Sequence, residues 1–145
     1  MKSRNVYGVC LLALTGFLLP HSAQAACTVA SFSGTFNYTL VGTVDGVPLT
    51  IKGTLIADGT GKLTDTNTIT YAHPPVTNNS DAGTYQMNAN CTGSLIFHYS
   101  SEIVHFDFVL VNGGTEFYLV CTDPNTVLSG TGTKGPVIPV CPPPV

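Results

Sequence analysis

Charged residues are scarce in this chain of 145 residues, which has five Lys and Arg, eight Asp and Glu, and no Trp. After residue 25 the basic residues are only Lys52, Lys62 and Lys134, and these three against eight acidic residues give a formal charge of −5. Binding to the phosphates of nucleic acid needs a basic surface. The lack of positive charge therefore predicts that nucleic acid is not a partner.

A membrane-spanning segment is also missing. The longest apolar run covers residues 9–19, whereas a spanning helix needs about 20 apolar residues. This run follows Lys2 and Arg4 and precedes Ala-Gln-Ala at 23–25, which is the pattern of a secretory signal peptide with its cleavage site. We predict a signal peptide over residues 1–25, no integral membrane span, and a location in the periplasm or outside the cell.

The sequence lacks the common enzyme motifs. The segment ADGTGKL at 57–63 contains a Gly-Lys pair, but Ile56 and Leu63 stand where a phosphate-binding loop has its first Gly and its Ser or Thr. A strand-like segment follows instead of a helix, so we predict a hairpin turn. No Ser lies in the G-x-S-x-G motif of hydrolases. These features favour a binding or structural protein over an enzyme and predict no cofactor.

Thr, Gly, Asn and Ser are abundant instead, and apolar residues alternate with polar ones through most of the chain. Such alternation is typical of half-buried β-strands. Asp45 and Gly46 join two alternating segments, which is a strong hairpin signal. A second predicted hairpin, around residues 112–114, aligns two apolar faces and would place Phe108 opposite Leu119. The same register places Leu110 opposite Phe117.

Two segments depart from this pattern. Residues 72–81 contain two adjacent prolines and lack apolar alternation, so we predict a loop. Residues 135–145 form a Pro-rich tail that cannot pair regularly. The segments between 26 and 134 give eight strands in series. We predict an all-β fold, an antiparallel meander of eight strands that closes into a small up-and-down β-barrel, with a two-sheet β-sandwich as the alternative.

Four cysteines remain after residue 25, and an even number in an exported chain indicates up to two disulfides. In a meander, Cys27 and Cys91 fall at the same end of the barrel and Cys121 at the other end. We predict the pairs Cys27 with Cys91 and Cys121 with Cys141, and a Cys27–Cys141 bond is the rival. The cysteines lack the close C-x-x-C spacing of zinc sites.

One set of candidate functional residues is His98, His105 and Asp107, which fall on the polar face of two consecutive strands. Two imidazoles and a carboxylate on one face could bind a metal ion or act in acid-base catalysis. The spacing matches no known metal motif. We favour the interpretation that this face is the solvent side of the sheet and that no metal is bound.

A second set lies on the strand after the 57–63 turn, where Asp65 and Asn67 alternate in step with apolar residues. If this face lines the barrel interior, burial would raise the pKa of Asp65 and suit it to catalysis. We favour the alternative, in which a twist or bulge leaves Asp65 and Asn67 in water. Aromatic side chains could line an apolar ligand cavity or simply fill the barrel. The candidate lining residues are Phe36, Tyr38, Phe97, Phe106, Phe108 and Phe117.

Several short motifs resemble those of a family of small exported bacterial proteins of unassigned function. They are a Cys before an F-x-G-T-[FY] strand, a G-T-x-x-x-D-G turn, an A-D-G-x-G turn, a G-T-Y-x-x-N-x-x-C-T-G segment, and a T-D-P-x-T-V-x-S-G-T segment. Here they comprise Cys27 and residues 32–36, 57–61, 83–93 and 122–131, and the G-T-x-x-x-D-G turn has the shorter form G-T-V-D-G at 42–46. The resemblance supports the Cys27–Cys91 pair, because both cysteines belong to the shared pattern, and implies no catalytic residue. The architecture is also similar to calycin barrels and to the allene-oxide-cyclase and dirigent type of barrel.

Three functional hypotheses follow. The first is an exported, disulfide-linked barrel that binds a small apolar ligand or a surface component in or at its mouth. The second is a cyclase or isomerase of the barrel type, in which Asp65 or His105 assists. The third is a structural or extracellular matrix protein. The identity of the ligand and the oligomeric state stay open.

Overall fold

The structure is a computed structural model that describes residues 26–71, 76–99 and 102–136. The predicted signal peptide and most of the Pro-rich tail lie outside these residues. Eight antiparallel strands form one closed barrel, in which each strand pairs with the next in sequence and the last pairs with the first. The strands are β1 (Ser33–Val44), β2 (Val47–Asp58), β3 (Lys62–Tyr71), β4 (Val76–Met87), β5 (Thr92–His98), β6 (Ile103–Val111), β7 (Glu116–Cys121) and β8 (Thr126–Lys134). The predicted barrel is confirmed, and the sandwich alternative is wrong.

The predicted hairpins are also confirmed. Val44 pairs with Val47 across the Asp45-Gly46 link, and both link residues have positive φ, 49° and 78°, as a tight two-residue turn between twisted strands requires. In the next turn the Asp58 carboxylate accepts hydrogen bonds from the backbone N–H groups of Thr60, at 2.7 Å, and Lys62, at 3.0 Å. The Gly-Lys pair of the 57–63 segment therefore belongs to a hairpin and not to a phosphate-binding loop.

The register of β6 and β7 follows the prediction. Phe108 pairs with Leu119 and Leu110 pairs with Phe117, and all four side chains are buried. Because side chains alternate between the two faces of a strand, a shift by one residue would turn all four outward. The core of the barrel thus fixes which residues face inside.

The predicted loop over 72–81 is wrong in its second half. Strand β4 begins at Val76 and pairs with β3 from Thr70 to Lys62. The alternation is hidden in the sequence because the inward positions Asn79 and Asp81 are polar. They lie opposite Asn67 and Asp65 of β3, which are also polar and face inward.

One end of the barrel, which we call the plugged end, is closed by the segment before β1. A 3₁₀ turn at Val29–Ser31 leads into Phe32, whose ring is fully buried and lies 5.0 Å from the rings of Phe36 and Phe108 between centroids. Tyr85 donates a hydrogen bond to the Phe32 carbonyl at 2.7 Å. Aromatic packing and this hydrogen bond hold the segment over the end of the barrel.

A disulfide fastens the same segment. Cys27 is bonded to Cys91, with the two Cα atoms 5.0 Å apart, and the Cys27 N–H donates to the carbonyl of Ala89 at 3.1 Å. This confirms the predicted Cys27–Cys91 pair, and the rival Cys27–Cys141 bond is wrong. Cys91 directly precedes β5 at the plugged end, as the meander predicted.

Candidate functional site

The other end of the barrel, which we call the mouth, opens into a cavity of about 540 Å³. Apolar side chains from β1, β2, β3, β6 and β8 form its walls. They include Val44, Leu49, Ile69, Val104, Phe106 and Leu128. Asp45, Glu102 and Asp123 lie at the rim, and Asn79 and Tyr99 also line the cavity. The volume falls within the range of small-molecule sites, and the combination of apolar walls with a few polar groups is typical of them.

Beyond this cavity the barrel is filled. The next internal space has a volume of about 10 Å³, which is roughly the room that one water molecule needs. Of the six predicted lining residues, Phe36, Phe108 and Phe117 pack in the barrel core on the side of the plugged end. Tyr38, Phe97 and Phe106 border the small internal space. Only Phe106 of the six also lines the mouth cavity, because aromatic rings fill an eight-stranded barrel rather than enclose a void.

A polar cluster lies inside the barrel on β1 and β3. Asp65 is 1% exposed and Asn67 is 0% exposed, so this face lines the interior, and the favoured interpretation that a twist or bulge leaves both groups in water is wrong. The Tyr38 hydroxyl donates to Asp65 Oδ2 at 2.8 Å, and the Asn67 amide donates to the same oxygen. Asn79 in turn donates to Asn67 Oδ1 at 3.3 Å. A chain of hydrogen bonds therefore connects the mouth cavity, through Asn79, to the buried carboxylate.

The cluster contains two buried oxygens that have no hydrogen-bond partner among the described residues. They are Oδ1 of Asp65 and Oδ2 of Asp81, and the two residues are direct partners across β3 and β4. Burial raises the pKa of Asp65 to about 6, although the hydrogen bonds from Asn67 and Tyr38 oppose the shift. Burial also raises the pKa of Asp81. A carboxyl group with a pKa of about 6, such as that of Asp65, can gain or lose a proton near neutral pH.

The two phenols that adjoin the cluster are held neutral. Burial, followed by the nearby Asp65 carboxylate, raises the pKa of Tyr38 well above its ordinary value. The same two causes raise the pKa of Tyr99. Both hydroxyls therefore keep their protons at physiological pH, and that of Tyr38 donates to Asp65.

The predicted set of His98, His105 and Asp107 does not converge. All three side chains lie exposed on the outer face of the barrel. His105 instead pairs with Asp123, with Nδ1 and Oδ1 2.8 Å apart, and this pairing lowers the pKa of Asp123 against the effect of partial burial. The described residues bring together no group of three His, Cys, Asp or Glu side chains that could hold a metal ion.

Cys121 is a free, buried thiol in the structure, which differs from the predicted Cys121–Cys141 pair; Cys141 lies outside the described residues. Burial raises the pKa of the Cys121 thiol, so at neutral pH it carries its proton. Its Sγ lies 3.7 Å from Asp123 Oδ2. A protonated thiol beside a carboxylate is a poor nucleophile.

A second depression, of about 580 Å³, lies on the outer face of β4 to β7, between Gln86, Asp107 and Tyr118. It is bordered by exposed side chains and by strand backbone. The mouth, in contrast, adjoins the buried polar cluster. Among the described residues we therefore take the mouth and this cluster as the candidate functional site.

The apolar wall residues of the mouth other than Phe106 were not predicted from the sequence, and neither were the polar residues Asn79, Asp81 and Tyr99. For Asn79 and Asp81 the sequence did contain a signal. They occupy every second position on the N-terminal side of Tyr85 and Met87, and so continue the inward alternation of those residues toward the start of β4. Tyr99 follows the last residue of β5 and lies in the same alternation as Phe97.

Comparison with protein-family models, with curated proteins and with solved structures finds no match to this chain. In the part of the chain that the structure describes, no helix has the length and apolar character needed to cross a membrane. The functional argument therefore depends on the geometry of the chain's own residues.

Proposed function

We propose that the protein is an exported binding protein that takes a small, largely apolar ligand into the mouth of its barrel. The observation that carries this proposal is the cavity of about 540 Å³ with apolar walls. Because the internal space beyond it is about 10 Å³, the apolar body of the ligand is bound at the mouth and not at the centre of the barrel. Burial of apolar ligand surface against these walls supplies the binding free energy, about 25 cal/mol per Å².

Export is supported by two observations. The sequence of residues 1–25 has the form of a signal peptide, and the Cys27–Cys91 disulfide is typical of oxidising compartments. Membership in the family of small exported bacterial proteins stays a prediction that rests on the shared motifs.

A bulky side chain in the mouth should block binding. We expect Val104→Trp, which adds a large ring to the cavity wall, to weaken binding of N-phenyl-1-naphthylamine, a neutral apolar fluorophore, at least tenfold. The fluorescence increase on binding measures the affinity. Val41→Trp is the matched control, since Val41 lies on the outer face of β1 and is 54% exposed. Equal weakening by both variants, or no binding to the unaltered protein, would contradict the proposal.

The cyclase or isomerase hypothesis is the second candidate, and the raised pKa of Asp65 favours it. A carboxyl group with a pKa of about 6, linked to the mouth through Asn67 and Asn79, is suited to proton transfer at neutral pH. His105, the other predicted participant, faces outward and pairs with Asp123.

This second candidate predicts an effect on turnover. Isomerisation leaves the mass of a substrate unchanged, so chromatography coupled to mass detection would reveal it as a change in retention time at constant mass. Asp65→Asn should lower any turnover detected in this way at least tenfold and leave fluorophore binding in place. Asp107→Asn, on the outer face, should alter neither. Full turnover by Asp65→Asn would rule out the assigned role of Asp65.

A further inference from the structure

The described lysines lie away from the mouth, whereas several acidic residues lie at or below it; Asp58 and Glu116 are at the plugged end. Asp45, Glu102 and Asp123 lie at the rim of the mouth, and Asp65 and Asp81 lie below it. Lys62 begins β3 and Lys134 ends β8, so both lie at the plugged end. The remaining described lysine is on the outer face, midway along β2. The mouth therefore carries negative charge that no described lysine offsets, and the field of such a site attracts cations.

The Asp65–Asp81 pair provides an independent indication of a ligand. Asp65 is almost fully buried, and the hydrogen bonds from Tyr38 and Asn67 both go to Oδ2, so Oδ1 has no described partner. Oδ2 of Asp81, the residue paired with Asp65 across β3 and β4, also has none. A buried polar atom without a hydrogen bond costs about 1–3 kcal/mol, and more when it is charged. Two such acceptors at one level of the barrel interior form a site for a positively charged donor.

The pair lies within reach of the mouth cavity. Asn79 lines the cavity and precedes Asp81 by two residues, so the two side chains are neighbours on the inward face of β4. The bond between Asn79 and Asn67 is 3.3 Å long, the longest in the cluster. A narrow head group that displaces the hydrogen bond between Asn79 and Asn67 would reach the carboxylates of Asp65 and Asp81. The rest of the ligand would stay in the cavity.

We propose that the ligand is a cationic amphiphile, with an apolar body against the walls of the mouth and a protonated amine held between Asp65 and Asp81. This inference rests on the proposed binding function and names the chemical class of the ligand. An alkylammonium group has three N–H donors and one positive charge, which matches two facing carboxylate oxygens. The adjoining phenol of Tyr99 and amides of Asn67 and Asn79 supply further acceptors.

The test compares three probes with the same apolar body: n-octylamine, 1-octanol and octanoate. Binding to the protein with its Cys27–Cys91 disulfide formed is measured at pH 8, by displacement of N-phenyl-1-naphthylamine and by calorimetry. We expect octylamine to bind at least tenfold more tightly than octanol, and octanoate to bind more weakly than octanol. In Asp65→Asn and in Asp81→Asn the preference for the amine should fall to less than threefold. Asp107→Asn, which removes a carboxylate from the outer face, should keep it.

The possible outcomes separate the two proposals. If octanol or octanoate binds as tightly as octylamine, the mouth binds apolar molecules but the cationic class is wrong. If none of the three binds, the proposed function itself fails. An amine preference that both Asn variants retain would show that the rim carboxylates, and not the Asp65–Asp81 pair, select the charge. Because the comparison of probes on the unaltered protein needs no variant, it decides the question even if Asp65→Asn fails to fold.

Discussion

Replacing both Cys27 and Cys91 by Ser is expected to lower the free energy of unfolding by about 4 kcal/mol. The bond joins residues 64 positions apart, and the loss of loop-closure entropy in the unfolded chain for a loop of this length corresponds to about this amount at 25 °C. Denaturant unfolding followed by tyrosine fluorescence or circular dichroism measures the change. The effect is large for a domain of this size, whose total stability is about 5–15 kcal/mol.

Reduction supplies the control for this prediction. Dithiothreitol should destabilise the unaltered protein by a similar amount and leave the double Ser variant unchanged. If the unaltered protein unfolds at the same denaturant concentration with and without reductant, the disulfide does not contribute the expected free energy. Because the bond lies at the plugged end, reduced protein that is still folded should bind the fluorophore at the mouth with unchanged affinity.

The free energy of unfolding of the unaltered protein is expected to fall by about 3 kcal/mol between pH 4 and pH 7 because of Asp65. Replacing Asp65 by Asn should abolish this fall. The pKa of Asp65 is raised to about 6 in the folded state and is close to 3.9 in an unfolded chain. Between these values the folded state holds a proton that the unfolded state has released, so the free energy of unfolding falls as pH rises. Below about pH 4 Asp65 is protonated in both the folded and the unfolded state, so the loss has not begun. Above about pH 7 Asp65 is ionised in both states, so the loss is complete.

The difference between the two proteins isolates this effect. Other groups contribute to the pH dependence, including Asp123, whose lowered pKa acts in the opposite direction, but they are common to both proteins. Unfolding free energies at pH 4, 5, 6 and 7 should therefore diverge between Asp65→Asn and the unaltered protein. For the control Asp107→Asn, the curve of unfolding free energy against pH should run parallel to that of the unaltered protein. Parallel curves for Asp65→Asn would mean that Asp65 keeps an ordinary pKa despite its burial.

Much of the fold could be predicted from the sequence, because the information is local and periodic. The Asp45-Gly46 link defines a hairpin through its need for positive φ, and the inward faces of β6 and β7 define their register through burial. The position of Cys91 at a turn, on the same end as Cys27, favoured their bond over the rival Cys27–Cys141 bond, and the resemblance supported it.

The candidate site was only half predictable, for a physical reason. Asp65 and Asn67 could be recognised because apolar residues flank them on β3. Their partners Asp81 and Asn79 were missed, since both are polar and the alternation that continues back from Tyr85 and Met87 has few apolar positions there, so that the first half of β4 resembles a loop. Polar groups stabilise one another inside this barrel across two strands, and a search for apolar alternation along one strand does not detect such pairing.

The division between a filled interior and an open mouth was also beyond the sequence. It depends on the short turn at Val29–Ser31, which directs Phe32 into one end of the barrel. Side-chain packing in three dimensions decides how far the aromatic rings of β1, β6 and β7 fill the space. Likewise, the pairing of His105 with Asp123 depends on the three-dimensional structure, because it joins the start of β6 to the connection between β7 and β8.

The strand order has a practical consequence for how this molecule can be anchored. Because β1 begins and β8 ends at the plugged end, and the two strands lie side by side, the polypeptide enters and leaves the barrel at the same pole. A tether attached through either of these points would leave the opposite pole facing away from the attachment surface. Immobilised in this way, the barrel presents its open cup outward to the surrounding medium.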